Sequence, residues 1–255
     1  MQTPQNAFKK RLLAKELQIG LWCSLGSNIA AEIVGDSGFD WVLLDTEHAP
    51  NEPPDVLAQL QAFAAGTARV VVRPAWNDAV LIKRLLDIGA QTLLVPFVQN
   101  AEEARRAVAA CRYPPVGIRG ITAGGRASRY GRAASYLKEA DQQVCLLVQA
   151  ETMDAIDRIP EVAAVDGVDG IFVGPSDLSA SMGHIGNPLH PEVQRAIELA
   201  AKRINDAGKV AGILTTVEAD ARRYIEWGYR FVAVGTDIGL LARNADALAA
   251  AFRKT

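Results

Sequence analysis

Two acidic residues, Glu151 and Asp177, come shortly after two short apolar runs that succeed one another along the chain. If these runs are neighbouring parallel strands, about 4.8 Å apart, the two carboxylates lie close together at one edge. Carboxylates that close repel each other, so either one is protonated or a cation lies between them. No His or Cys joins them at zinc-ligand spacing, which favours an oxygen-preferring ion such as Mg²⁺ or Mn²⁺. Helix capping by both acids is the structural alternative.

A histidine and an arginine follow two earlier apolar runs. His48 comes three residues after Asp45, and a carboxylate that orients the imidazole would make it a base near neutral pH. Arg73 ends its run, where an arginine either pairs with a core carboxylate or faces an anionic ligand. A divalent ion held by two carboxylates is nominally neutral, so Arg73 could supply positive charge to a developing enolate. His184 and His190 are expected to be surface groups.

The lysines decide between two classes of enolate chemistry. An aldolase that works through a Schiff base needs a lysine at the carboxyl end of a strand. None of the eight lysines comes at the end of one of the short apolar runs that are predicted to be strands, and Lys209 precedes such a run, so that it faces the opposite end. The sequence therefore argues against imine chemistry and favours metal-assisted enolisation.

These residues need a scaffold that brings the ends of several strands together. Short apolar runs alternate with longer Ala-rich segments whose apolar residues recur at three- and four-residue steps. The predicted strands are 18–22, 40–45, 69–73, 92–96, 144–149, 169–174, 210–215 and 230–235. Parallel strands need helical crossovers, so the alternation predicts an α/β protein with a single (β/α)8 TIM barrel over residues 1–255. A doubly wound sheet is the rival, but the chain lacks GxGxxG and GxxxxGK[ST] motifs.

A barrel of this kind carries its active site at the carboxyl ends of its strands. The candidate polar site residues share that position: Asp45, His48, Arg73, Gln149, Glu151, Ser176 and Asp177. Trp22, Phe172 and Leu214 come from strands one, six and seven near the same mouth. They are expected either to form an apolar wall around a small ligand or to pack the barrel.

Residues 112–143 interrupt the alternation, because they are rich in arginine and glycine and show no strand pattern. A segment of this length without regular structure is usually functional or an assembly surface. A solvated surface excursion is the alternative.

Composition excludes several classes of protein. Lys and Arg total 27 against 29 Asp and Glu, so the net charge of −2 offers no basic field for nucleic acid or an anionic membrane. No apolar run approaches the roughly 18 residues of a membrane span, and none resembles a signal sequence. Cys23, Cys111 and Cys145 are widely spaced and odd in number, as is typical of buried thiols in a reducing compartment. We therefore expect a cytoplasmic globular protein.

Six motifs together resemble the class II, metal-dependent pyruvate aldolases, a family that includes 4-hydroxy-2-oxoheptanedioate aldolases and 2-keto-3-deoxy-sugar-acid aldolases. The motifs are LLDTEHAPN (43–51), VVRPAWND (71–78), LLVPFVQNAEEA (93–104), RYPPVGIRG (112–120), QAET (149–152) and FVGPSDLSASMGHIGNP (172–188). The resemblance extends over nearly the whole chain. Ala150 and His184 depart from it, which leaves the substrate preference open.

The resemblance implies a role for each candidate residue. Glu151 and Asp177 would bind the divalent ion, for which Co²⁺ is a further candidate beside Mg²⁺ and Mn²⁺. His48 would be the base and Arg73 would stabilise the transition state. The residues implied to contact substrate are Gln149, Ser176 and Asp177.

A further acid enters only through the resemblance. Asp87 would raise the basicity of His48, a role that its predicted position on a helix does not suggest. Asp45 and Asp87 are therefore both candidate partners of the imidazole.

The activity implied by the resemblance is reversible retro-aldol cleavage of a 4-hydroxy-2-oxo acid to pyruvate and an aldehyde, in aromatic or sugar-acid catabolism. Hexamers with exchanged C-terminal helices are also implied, and the Ala/Leu-rich tail 240–252 would suit them. The arginine-rich segment 112–132 could meet a carboxylate of the aldehyde across a subunit boundary. Two other functions are weighed: a carbon–carbon lyase of the citryl- or malyl-CoA type, and a non-catalytic scaffold.

Overall fold

The computed structural model describes residues 1–253, in which eight parallel strands close into a barrel in sequence order. The strands are β1 (Gln18–Cys23), β2 (Trp41–Asp45), β3 (Arg69–Arg73), β4 (Thr92–Val95), β5 (Cys145–Ala150), β6 (Gly170–Val173), β7 (Val210–Leu214) and β8 (Tyr229–Thr236). Each predicted strand is present with its ends displaced by at most one residue. The (β/α)8 fold is thereby confirmed.

Helices cover the outside of the barrel and precede or connect the strands. They are α1 (Ala7–Leu13), α2 (Asn28–Gly35), α3 (Pro53–Ala62), α4 (Ala79–Asp87), α5 (Ala101–Cys111), α6 (Tyr136–Gln143), α7 (Met153–Asp157), α8 (Ile159–Ala163), α9 (Pro175–Ser181), α10 (Pro191–Asp206), α11 (Glu218–Glu226) and α12 (Asp237–Arg253). Their starts follow from local chemistry. Asp78 caps α4 by accepting from the amides of Val80 and Leu81, and Asn100 caps α5 in the same manner.

Aromatic side chains fill the barrel, and α1, which the sequence did not predict, packs against them. The ring centroid of Phe8 lies 6.0 Å from that of Trp41 and 6.3 Å from that of Phe231. Glycine makes room for both partners. A Cβ at Gly20 would lie 2.2 Å from Trp41, and one at Gly212 would lie 2.0 Å from Phe231. The barrel interior is therefore a packed core, and the polar groups collect at the strand ends.

The segment 112–143 runs along the amino-terminal end of the barrel. It contains α6 and one short turn of 3₁₀ helix at Arg126–Ser128, and no strand. Arg126 donates to the carbonyls of Ile88 and Leu60, near the ends of α4 and α3. Within one chain, this segment therefore lies away from the carboxyl ends of the strands.

Burial of the three cysteines agrees with the sequence analysis. All three are free thiols. Burial raises the pKa of the Cys23 thiol and raises that of Cys111 to about 12. Both thiols are therefore protonated and inert at neutral pH. No helix within residues 1–253 is long and apolar enough to cross a membrane.

Candidate active site

A buried ion pair joins the carboxyl ends of β2 and β3. Asp45 and Arg73 are direct partners in the register of these strands. Arg73 Nε donates to Oδ1 of Asp45 at 2.9 Å, and Nη2 donates to Oδ2 at 2.6 Å. Burial raises the pKa of Asp45, but the hydrogen bonds and positive charge of Arg73 lower it more, so the carboxylate stays ionised.

Two further groups fix the guanidinium of Arg73. Its Nη1 lies 2.8 Å from Oε2 of Glu47, and its central carbon lies 4.8 Å from the centre of the Trp22 indole. Trp22 Nε1 also donates to Asp45 at 3.3 Å. The sequence left open whether Arg73 pairs with a core carboxylate or faces an anionic ligand. The structure shows Arg73 paired with carboxylates. Three of its five N–H groups serve Asp45 and Glu47.

Glu151 is held at the end of β5 by two donors. Gln149 Nε2 donates to its Oε1 at 2.8 Å, and the backbone amide of Phe97 donates to its Oε2 at 3.0 Å. The side chain is only 4% exposed. Burial, followed by the negative charges of Asp177 and Glu47, raises the pKa of Glu151 to about 7. This carboxyl is therefore poised between its two protonation states at neutral pH.

The start of α9 lies against Glu151, with Asp177 in the first turn of this helix. In the β5–β6 register Ala150 opposes Val173, so Glu151 and Gly174 follow side by side. A Cβ at Gly174 would lie 2.6 Å from Oε1 of Glu151. Only glycine therefore lets the carboxylate occupy this place without a shift.

The charges at this mouth fit a cation. Four carboxylates, those of Asp45, Glu47, Glu151 and Asp177, lie at this mouth with one guanidinium. That guanidinium pairs with Asp45 and Glu47, and Asp45 already offsets its charge. The remaining acids repel one another: after burial, the negative charges of Asp177 and Glu47 raise the pKa of Glu151 most. Burial also raises the pKa of Glu47, although the positive charge of Arg73 opposes that rise. Their donor atoms are all oxygen, which suits Mg²⁺ or Mn²⁺ better than a softer metal. Glu151 and Asp177 are the acids that could hold it.

Gly174→Ala is expected to weaken binding of a divalent ion although it removes no ligand atom. The added methyl group must displace the carboxylate of Glu151, whose position is fixed from the other side by Gln149 and Phe97. Calorimetric titration with Mn²⁺ should show an affinity lowered by about 10-fold or more, the scale of a lost supporting contact. Gly124→Ala is a matched control, because a Cβ at Gly124 meets nothing within 4 Å and its backbone φ is not positive.

Metal-free protein is expected to lose stability between pH 4.5 and about 7 because of Glu151. In this window the folded chain keeps the proton that the unfolded chain has released, so the stability falls as the pH rises. At about 1.4 kcal/mol per pKa unit, the loss amounts to about 3 kcal/mol. Urea unfolding in the presence of chelator should show it in the wild type and not in Glu151→Gln. Parallel pH profiles for the two proteins would contradict this assignment.

His48 lies at the mouth, but the structure does not bring Asp45 against its ring. The His48 side chain is 67% exposed, and Oε1 of Glu47 lies 3.9 Å from its Nε2. Asp45 instead accepts hydrogen bonds from the backbone amides of Glu47 and His48, at 3.0 and 3.4 Å. Because Arg73 also occupies both its oxygens, Asp45 orders the loop backbone rather than the imidazole.

Asp87 lies at the other end of the barrel from His48. It is the last residue of α4, which leads into β4, and its Oδ1 accepts from Arg119 Nη2 at 2.9 Å. The buried guanidinium of Arg119 also lies 4.5 Å from the centre of the Tyr113 ring. Within a single chain, the structure therefore does not bring Asp87 to the imidazole.

The remaining predicted residues form the floor and rim of the mouth. Trp22 and Phe172 are buried with ring centroids 5.6 Å apart, and the partly buried Leu214 packs against their cluster. Ser176 is exposed beside Asp177. Gln149 is buried, and its Oε1 has no hydrogen-bond partner among residues 1–253. This oxygen is a polar group that a ligand could satisfy.

The positions of the lysines agree with the argument against imine chemistry. Within residues 1–253 no lysine follows the carboxyl end of a strand. Lys209 precedes β7 and donates to the carbonyl of Val168 at 2.6 Å. Lys254 lies outside the described residues.

Sequence reasoning missed three residues at this mouth: Glu47 as a partner of Arg73, the amide of Phe97, and Trp76. Phe97 has a φ of +52°, which is uncommon for a bulky side chain and aims its amide at Glu151. Trp76 is 53% exposed and stacks on Phe97 with ring centroids 5.8 Å apart. The positions of Trp76 and Phe97 just after β3 and β4 could have marked them as residues of the mouth. The left-handed backbone conformation of Phe97, however, has no signature in the sequence.

Comparisons with known proteins agree with this site. The family model described as HpcH/HpaI aldolase/citrate lyase matches residues 18–244. A 4-hydroxy-2-oxo-heptane-1,7-dioate aldolase of Klebsiella pneumoniae is 59% identical over 248 residues, which cover 97% of this chain and 94% of the relative. A pyruvate aldolase of Rhizobium etli is 58% identical over 252 residues, which cover 99% of both chains.

A solved structure shows the same architecture. The crystal structure of a family protein from Burkholderia cenocepacia superposes with a TM-score of 0.95 at 40% identity, covering 98% of this chain and 100% of that chain. The resemblance found in the sequence motifs is thereby confirmed. The chain belongs to the HpcH/HpaI aldolase/citrate lyase family.

Proposed function

We propose that this chain is a metal-dependent class II aldolase that reversibly cleaves a 4-hydroxy-2-oxo acid into pyruvate and an aldehyde. The substrate class is that of 4-hydroxy-2-oxoheptanedioate or a 2-keto-3-deoxy sugar acid, in aromatic or sugar-acid catabolism. The observation that carries the proposal is the buried carboxyl of Glu151, repelled by Asp177 and Glu47 beside the Asp45–Arg73 pair. The aldolases that share more than half of the sequence support it.

Glu151 and Asp177 are the proposed metal ligands. A divalent ion bound there, Mg²⁺ or Mn²⁺, would polarise the keto oxygen of the substrate and offset the negative charge of its enolate. Arg73 contributes oriented N–H donors rather than net charge, because Asp45 already offsets its charge. The unpaired Oε1 of Gln149 and the hydroxyl of Ser176 are proposed to contact the substrate.

His48 is the proposed base that removes a proton from the methyl group of pyruvate and returns it in the reverse direction. Its exposure leaves the imidazole free to meet a substrate at the mouth. A contribution of Asp87 to its basicity requires a second copy of the chain, because the two residues lie at opposite ends of one barrel.

A homo-oligomer, in particular a hexamer with exchanged C-terminal helices, is the proposed assembly. Asp237 is the only buried residue of α12 within the described residues. The large apolar residues that α12 exposes are Ile238, Leu240, Leu241, Leu248 and Phe252. Such a helix needs a covering partner. In such an assembly, the segment 112–132 and Asp87 would approach the mouth of a neighbouring subunit. Separately, the free thiols favour a cytoplasmic location.

The function is tested by a panel of 4-hydroxy-2-oxo and 2-keto-3-deoxy acids, with pyruvate release followed by a coupled dehydrogenase. We expect pyruvate from at least one of these acids with Mg²⁺ or Mn²⁺, and none in the presence of chelator. Cleavage of malyl-CoA in place of every acid on the panel would favour the CoA-thioester lyase instead.

His48→Ala is expected to slow exchange of the pyruvate methyl protons by about 10²-fold or more, the usual effect of losing an acid–base group. Proton NMR in D₂O follows this exchange without any aldehyde. Because the ring is exposed and lies outside the acid pair, binding of Mn²⁺ should be unchanged in the variant. Undiminished exchange would assign the base to another group.

A further inference from the structure

We propose that His184, His190 and Glu192 form a second metal site, which takes a transition-metal ion and is distinct from the acid pair at the mouth. Each of the three residues offers one potential ligand atom, and these atoms lie within 4.8 Å of one another. Nε2 of His184 and Oε2 of Glu192 are 3.0 Å apart. The proposal is independent of the proposed aldolase activity.

The backbone presents the three side chains together. The loop from α9 to α10 turns at Gly183 and Gly186, whose φ values of +80° and +74° favour glycine. His184 is anchored by its amide, which donates to the carbonyl of Ser179 at 2.7 Å. His190 is the N-cap of α10, and its Nδ1 accepts from the amide of Glu192 at 3.3 Å. The loop and the first turn of α10 therefore hold the donors in place.

The two imidazoles are stacked, with ring centroids 3.5 Å apart and ring planes 17° apart. The stack keeps the rings side by side, so that one nitrogen of each lies within 4.8 Å of the other and of the Glu192 carboxylate. A metal ion binds imidazole in its neutral form, so binding would displace any proton on the ligating nitrogens. Tetrahedral zinc with bonds of about 2.0–2.1 Å places its ligand atoms about 3.3 Å apart. The 3.0 Å separation of His184 Nε2 and Glu192 Oε2 is already close to that value. The three ligand atoms all lie within 4.8 Å of one another, and the partly exposed side chains of His184 and His190 can close the remaining difference by rotation.

The donor set selects the class of ion. Two imidazole nitrogens and one carboxylate suit Zn²⁺, Co²⁺, Ni²⁺ or Cu²⁺, whereas Mg²⁺ prefers oxygen alone. His184 lowers the pKa of Glu192, which keeps this carboxylate ionised. The guanidinium of Arg195, with Nη2 4.0 Å from Oε1 of Glu192, acts against a cation and limits the affinity. Three protein ligands leave a fourth tetrahedral position for water.

The probe is Zn²⁺ alone, titrated into the full chain in excess Mg²⁺ and followed by competition with a chromophoric chelator. We expect one bound Zn²⁺ per chain in the wild type. His184→Ala and His190→Asn should each weaken binding by about 10-fold or more, since lost outer-shell contacts alone cost that much. Asparagine preserves the helix cap, so the second variant tests the ligand rather than the helix.

Glu198→Gln, an exposed acid on the same helix, is the matched control and should bind Zn²⁺ as the wild type does. The unfolding temperature without metal checks that each variant folds, and Zn²⁺ should raise it in the wild type but not in His184→Ala. Wild-type Zn²⁺ affinity in both histidine variants would overturn the proposal. The proposal would also be overturned if Glu151→Gln lost the bound Zn²⁺ while the histidine variants kept it, because the ion would then lie at the mouth.

Discussion

Glu151→Gln is expected to abolish turnover that depends on a divalent ion while leaving the barrel folded. The amide keeps the shape of the side chain and an oxygen that can accept from Phe97, but it loses the negative charge. A bound divalent ion contributes several kcal/mol of charge stabilisation, so kcat should fall by about 10³-fold or more. Steady-state kinetics at high Mg²⁺ and calorimetric Mn²⁺ binding measure the two effects separately.

The stability of Glu151→Gln distinguishes a ligand from a structural acid. The substitution removes a buried and repelled carboxyl, so the metal-free variant should be more stable than the wild type above pH 7. Asp237→Asn is a matched control, since this buried acid accepts from the amides of Ser24 and Leu25. We expect Asp237→Asn to lower stability and to leave Mn²⁺ affinity unchanged. A destabilised Glu151→Gln with full activity would assign Glu151 a structural role.

Arg73→Lys is expected to lower kcat by about 10²- to 10³-fold, the scale found when one donor to a developing oxyanion is removed. Lysine keeps the charge but cannot reproduce the planar fork that contacts Asp45 and Glu47 at once. Because metal binding is assigned to other residues, Mn²⁺ affinity should change little. Exchange of pyruvate methyl protons should slow together with kcat.

Arg73→Ala should differ from Arg73→Lys in stability. It leaves Asp45, which is 2% exposed, without its cation, and breaking a buried pair costs about 3–5 kcal/mol. Urea unfolding compares the two variants. Equal activity of wild type and Arg73→Lys would show that oriented donors at this position do not assist the reaction.

The strands of this barrel could be predicted to within one residue because each is an apolar run bounded by polar or glycine-containing segments. Helix α1 could not, since AFKKRLL contains three consecutive basic residues and only Phe8 and Leu12 are buried. Those two residues are buried by tertiary contacts with the barrel aromatics. Local periodicity carries no information about such contacts.

The candidate site shows the same division. The positions of Glu151, Asp177 and Arg73 followed from the strand ends, because a barrel gathers those ends at one mouth. The Asp45–Arg73 pair depends on the β2–β3 register, which the sequence does not state. The contact of Phe97 with Glu151 depends on a left-handed backbone at a residue that seldom adopts it.

The central claim is that Glu151 and Asp177 hold a divalent ion that activates pyruvate. Its most direct test is deuterium incorporation into the methyl group of pyruvate, measured with protein stripped of metal and then supplied with graded Mn²⁺. We predict that incorporation is absent from the stripped wild type, rises with occupancy of one Mn²⁺ per mouth, and stays absent in Glu151→Gln and Asp177→Asn. Incorporation at the full rate by stripped wild type, or by either variant, would contradict the claim.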